Sequence, residues 1–114
     1  MNKVIILGVM AKEPEYKTLP SGSTFCKFVV RDYHKNKQGE TEFDYFNCKA
    51  FGKTADFVGK FFTKDKPIAV VGKEITERWE QDGQKRYAQT VMVSEVEFVP
   101  GSVSDSSESE VDFR

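Results

Sequence analysis

A chain of 114 residues with 39% hydrophobic content, ten Phe among it, can bury one modest core and is too short for two. No stretch approaches the roughly 18 apolar residues that cross a bilayer, and Met1-Asn2-Lys3-Val4-Ile5-Ile6-Leu7 lacks the apolar run and cleavage site of a secretory leader, so a cytoplasmic location is expected. The formal net charge of −1 excludes a strongly basic protein that binds polyanions by charge alone, so the placement of charge must decide.

Lys3 to Val9 is a short, nearly continuous apolar run, consistent with a strand buried on both sides or bent around a barrel, with Gly8 where it would have to curl. Glu13-Pro14-Glu15 and Leu19-Pro20-Ser21-Gly22-Ser23 are turn-rich. From Thr24 to Tyr33 the pattern alternates. Cys26, Phe28 and Val30 point inward, while Phe25, Lys27, Val29, Arg31 and Tyr33 share the other face. His34 to Glu40 reads as a polar loop, and His34, the one histidine, has no nucleophile or carboxylate arrangement in sequence to make it catalytic. Cys26 and Cys48 form no CxxC pair and are expected to be buried, reduced thiols rather than metal ligands.

The run Phe43 to Lys53 organises the chain. One face carries Phe43, Tyr45, Asn47, Lys49, Phe51 and Lys53; the other carries Asp44, Phe46, Cys48, Ala50 and Gly52 and looks like a core face. A core would reject the lysines, because a buried unpaired charge is costly. A plain solvent face has little use for three rings. Rings interleaved with cations suit a ligand with flat π faces on a negative backbone, which describes single-stranded nucleic acid. The competing reading makes Phe43 and Phe51 a sheet edge or subunit contact and leaves the lysines merely solvated.

Thr54 is a candidate N-cap for a short helix whose Ala55, Val58, Phe61 and Phe62 would face the core, with Lys60, Lys64 and Lys66 along or just after it and Pro67 ending it. Ile68 to Trp79 forms a further strand, buried at its start, and Gly72 permits a bend. Asp82-Gly83 is a strong hairpin turn, and Lys85 to Val93 returns. This hairpin is apolar at its root, while Arg78, Trp79, Arg86 and Tyr87 make its tip aromatic and basic. Residues 101–114 are serine-rich and acidic and cannot bury enough surface to fold. Their four acids and one base, removed from totals of 18 and 17, leave 14 acids and 16 bases, about +2, on residues 1–100.

Five strands, one helix between the third and fourth, and long hairpin arms describe an all-β OB-fold, a five-stranded Greek-key barrel spanning residues 1–100 and followed by a disordered tail over 101–114. An SH3-like barrel competes but gives less reason for the helix. Asn2-Lys3-Val4-Ile5, Glu13-Pro14-Glu15 with Pro20-Ser21-Gly22, Ala50-Phe51-Gly52-Lys53, and Arg78-Trp79 followed by Asp82-Gly83-Gln84-Lys85-Arg86-Tyr87 together resemble the bacterial and phage single-stranded DNA-binding proteins of the tetrameric OB-fold family. The resemblance covers residues 1 to about 99.

The resemblance implies a non-enzymatic protein that coats and protects single-stranded DNA in replication, recombination and repair, without cofactor or metal, as a homotetramer with a dimer as the other option. It maps stacking rings onto Tyr45, where relatives often have Trp, and onto Phe51 and Trp79, with Tyr33 the nearest ring to a fourth position. Phosphate-facing positions map to Lys53, Lys64 and Arg78, and Asn47 stands where relatives often have Arg. The face and tip patterns add Tyr87 as a further ring and Arg31, Lys49 and Arg86 as further cations. Relatives end in an apolar-Pro-Phe terminus that docks replication and repair partners. Here Val111-Asp112-Phe113-Arg114 lacks the Pro and adds Arg, so docking through Asp112 and Phe113 departs from the family's mode. An RNA-binding or chaperone OB module, and an assembly protein that buries its rings between subunits, are the two rivals.

Overall fold

Strict alternation along the two central strands leaves one apolar face, and a sheet with one apolar face must cover it. Here the sheet curls and covers itself. A computed structural model describes residues 1–100; the predicted tail, with Asp112 and Phe113, lies outside the described residues. In chain order the elements are β1 (Val4–Met10), β2 (Glu15–Thr18), β3 (Thr24–Lys35), β4 (Thr41–Phe51), α1 (Gly52–Phe61), β5 (Pro67–Gln81) and β6 (Gln84–Glu97). The sheet order is β1-β5-β6-β4-β3-β2, and β1 also pairs with β3. That second pairing closes five strands into a barrel and leaves β2 as a short addition on β3. β4 and β6 run parallel where Cys48 faces Val91, and the other pairs are antiparallel. The five-stranded barrel with one helix between its third and fourth strands is as expected.

The inward residues are those that the alternation singled out. Cys26, Phe28 and Val30 of β3 and Cys48 and Ala50 of β4 are buried with Ile6, Met10, Ile68, Val70, Val91 and Val93. Burial pushes the Cys48 thiol up to about 12, and burial together with the charge of Glu15 pushes Cys26 up to about 11. Neither is a thiolate at neutral pH, and reactivity belongs to the thiolate. Gly72 sits at the bulge between β5 and β6. A Cβ there would lie 2.2 Å from the Met92 carbonyl oxygen, so the bend that Gly72 was expected to permit is a close approach of two backbones. At the hairpin tip Asp82 (φ 52°) and Gly83 (φ 77°) both take the left-handed conformation that a two-residue turn requires.

Several expectations are corrected. Glu15, read with Glu13-Pro14 as turn-rich, instead opens a short strand, Glu15–Thr18: each of its residues is exposed, so it has no apolar alternation to betray it, and it is held by pairing with β3 and by the Tyr16 hydroxyl, which donates to Asp56 Oδ1 at 2.7 Å. Of the two readings of β1, burial on both sides fails and the strand bent around a barrel holds, with Ile5 71% and Leu7 60% exposed on its outer face. α1 begins at Gly52, not after Thr54. Phe51 occupies its N-cap without a side-chain hydrogen bond, while the Thr54 hydroxyl reaches the Ser94 carbonyl at 3.5 Å. The helix ends at Phe61, before Pro67, which instead opens β5. Ala55, Val58 and Phe62 are buried as expected; Phe61 is exposed and packs tilted against Phe57 and edge-on to Phe98.

Candidate nucleic-acid interface

The β3–β4 hairpin sets the site's geometry by its register. Tyr33 faces Phe43, Arg31 faces Tyr45, Val29 faces Asn47, Lys27 faces Lys49 and Phe25 faces Phe51. Directly opposed residues share a face, so these ten side chains form one outer file, rings and cations apart from the central Val29 and Asn47. Contacts tie the file together. The Arg31 guanidinium lies 5.2 Å from the Phe43 ring centre, Lys49 lies 5.9 Å from Phe25, and the Phe25 and Phe51 rings are 5.1 Å apart. Tyr45 and Phe51 remain 62% and 48% exposed, with faces open to a ligand. They are six positions apart, about 20 Å along an extended strand.

The β5–β6 hairpin closes a cleft over the middle of this file. Lys27, Asn47, Cys48, Lys49, Glu77, Arg78, Trp79, Ala88 and Thr90 line a groove of about 440 Å³. Trp79, 46% exposed, stands on its wall. In the groove the Lys49 ammonium meets Glu77 Oε2 at 2.8 Å, and the Thr90 hydroxyl donates to Glu77 Oε1 at 2.8 Å. These two hydrogen bonds hold the Glu77 carboxyl below its ordinary range, with the charges of Lys49 and Lys27 adding to them.

The structure thus brings Tyr45, Phe51, Lys49, Trp79 and Arg31 onto one continuous surface. Arg86 faces Trp79 in register and shares its side of the hairpin. The other predicted residues are placed differently. Arg78 contributes to the groove wall, yet alternation directs its side chain, with Tyr87 opposite it, to the reverse side of the β5–β6 hairpin. Lys53 is not on the outer file: β4 stops at Phe51, Gly52 turns the chain at φ 64°, and Lys53 belongs to α1. Lys64 lies in the loop after α1, where its backbone N–H reaches Glu13 at 3.3 Å and neighbouring Asp65 bonds the end of β1.

His34 is a strand residue, not a loop residue. Its ring nitrogens meet Asp44 at 2.8 Å and Glu42 at 3.0 Å on the face of the hairpin opposite the rings. Asp44, by hydrogen bond and charge, raises its pKa. The reading of the sequence missed Glu77 and Thr90. Their polarity at positions that alternation places beside Trp79 is a signal, but their partners lie on distant strands.

Residues 1–99 match the Single-strand binding protein family. The chain belongs to this family. A single-stranded DNA-binding protein of Clostridium perfringens is 35% identical over 101 residues, 87% of this chain and 66% of its own length. Single-stranded DNA-binding protein 2 of Clostridium acetobutylicum is 34% identical over 116 residues, 99% of this chain and 86% of its own. The chain spans 61% of the length of a Staphylococcus aureus relative. Among solved structures, the Plasmodium falciparum SSB in complex with ssDNA superposes with a TM-score of 0.80 at 20% identity, covering 87% of this chain and 95% of that one. The single-stranded DNA binding protein from Thermus aquaticus, as a deletion mutant, gives a TM-score of 0.72 at 22% identity, covering 89% and 51%. Both share the fold.

Proposed function

We propose that this protein binds single-stranded DNA with little sequence preference and coats it during replication, recombination and repair. The reading is carried by one observation: open rings of Tyr45, Phe51 and Trp79 lie on the same curved surface as Lys27, Lys49 and Arg31. Bases stack on the rings at roughly 1–3 kcal/mol each, and every base has a π face, so sequence matters little. The cations hold phosphates, and salt weakens binding with a log–log slope of about −0.7 per phosphate neutralised. The protein acts by binding alone, with no reaction and no cofactor.

The names of the Clostridium relatives, both single-stranded DNA-binding proteins, support the same ligand. Exposed Ile5 and Leu7 on β1 support self-association, read as a homotetramer, because large apolar side chains grouped on a strand's outer face favour a partner copy. The acidic segment 101–114 is read as a separate tail that keeps the protein soluble and offers Asp112 and Phe113 to replication or repair proteins.

A fluorescence titration tests the ligand. Trp79 is the one tryptophan, so stacking by oligo(dT) is expected to quench emission directly. Emission unchanged at saturating oligo(dT) would instead assign the rings to subunit contacts, and equal, weakly salt-sensitive binding of poly(U) would assign them to RNA.

A further inference from the structure

Lys27 and Lys49 stand directly opposite each other on β3 and β4, where like charges repel across a ladder. A strand built only to attract phosphate would leave them so. Instead Glu77, from a strand brought in by barrel closure, places its carboxylate in the groove against Lys49. We infer that Glu77 is a built-in competitor for the nucleic-acid backbone: in the free protein its carboxylate occupies Lys49, and binding replaces that carboxylate with a phosphate. The inference rests on the single-stranded DNA reading and identifies how the same groove is regulated.

The geometry separates a fixed partner from a mobile one. Thr90 is buried, only 4% exposed, and its hydroxyl holds one oxygen of Glu77. The other oxygen holds Lys49, whose side chain and that of Glu77 are 27% and 32% exposed. An ion pair open to water to this degree is a weak tie and is readily exchanged. Lys49 has four rotatable methylenes and can turn toward a phosphate, whereas Thr90 keeps the carboxylate where it is. Lys49 therefore contributes less to affinity than an unpaired lysine would. It trades one anion for another, releases no counterion of its own, and leaves Glu77 facing the strand.

The test uses the full chain with dT oligomers across a salt series, comparing wild type with Glu77→Gln. Glutamine keeps an oxygen for Thr90 and loses the charge. Freeing one cation is expected to steepen the salt slope by about 0.7 and to tighten binding about fivefold at 0.1 M salt. Both changes should disappear in a Lys49→Met background, since the effect runs through Lys49. Unchanged or weaker binding by the Glu77→Gln protein, or a gain that persists in full without Lys49, would overturn the inference. Failure of the wild type to bind dT oligomers at all would instead sink the underlying single-stranded DNA reading.

Discussion

The two long hairpins carry similar residues and use them differently. In β3–β4, rings and cations occupy a single outer face from Tyr33 and Phe43 down to Phe25 and Phe51, and the reverse face passes from the His34 cluster into the core. In β5–β6, the same kinds of residue split: Trp79 and Arg86 share one side of the ladder and Arg78 and Tyr87 the other, and of the four only Trp79 and Arg78 line the groove. Composition alone would rank the two tips alike. Register makes one hairpin a continuous track and the other a wall with one working side.

Substitution at the shared root should affect both hairpins equally. Phe28, buried beneath β3, packs in the core common to both. Phe28→Ala is expected to cost about 3–5 kcal/mol of stability, measured by urea denaturation. A loss confined to one hairpin, seen as two separate transitions, would divide what the common core joins. The comparison within β5–β6 is sharper. Trp79→Ala should weaken binding of oligo(dT) by roughly 1–3 kcal/mol, the value of one stacked base. Tyr87→Ala, on the reverse side of the same tip, should change affinity by less than about twofold, as a residue outside the groove would. Equal losses for both would show that the strand wraps the hairpin rather than following the groove.

The smallest expected effect concerns the back of β3–β4. His34 is held between Asp44 and Glu42, and Asn36 also donates to Glu42 at 3.2 Å. The carboxylates raise its folded-state pKa above the unfolded value of about 6.5. The tie is therefore complete below that unfolded value and is lost as pH rises through the raised folded one. Amide protection in the arm, taken relative to the intrinsic exchange rate at each pH, should fall over that upper window, and His34→Gln should remove that step. Protection that falls toward acid pH would reverse the assignment.

Much of this was legible in local pattern. Alternation along Thr24–Tyr33 and Phe43–Phe51 sorted Cys26, Phe28, Val30, Cys48 and Ala50 inward and the rings and cations outward, because a strand's period of two is a property of the chain itself. Asp82-Gly83 marked its turn for an equally local reason: both positions need left-handed backbone. What lacked a local signature was misread. β2 has no buried residue, α1 starts on Gly52 without a side-chain cap, and His34 extends a strand well past the core, where polar composition resembles a loop.

The sequence by itself determined which face the side chains of Thr24–Tyr33 and Phe43–Phe51 take and the kinds of residue on the outer face, since both follow from residue type and a fixed period. Tertiary structure decided which of those side chains meet. Lys49 and Glu77 are 28 residues apart and meet at 2.8 Å only because β4 lies beside β6 and β6 beside β5. Barrel closure sets that adjacency, and closure depends on every strand at once, so no local stretch could encode it.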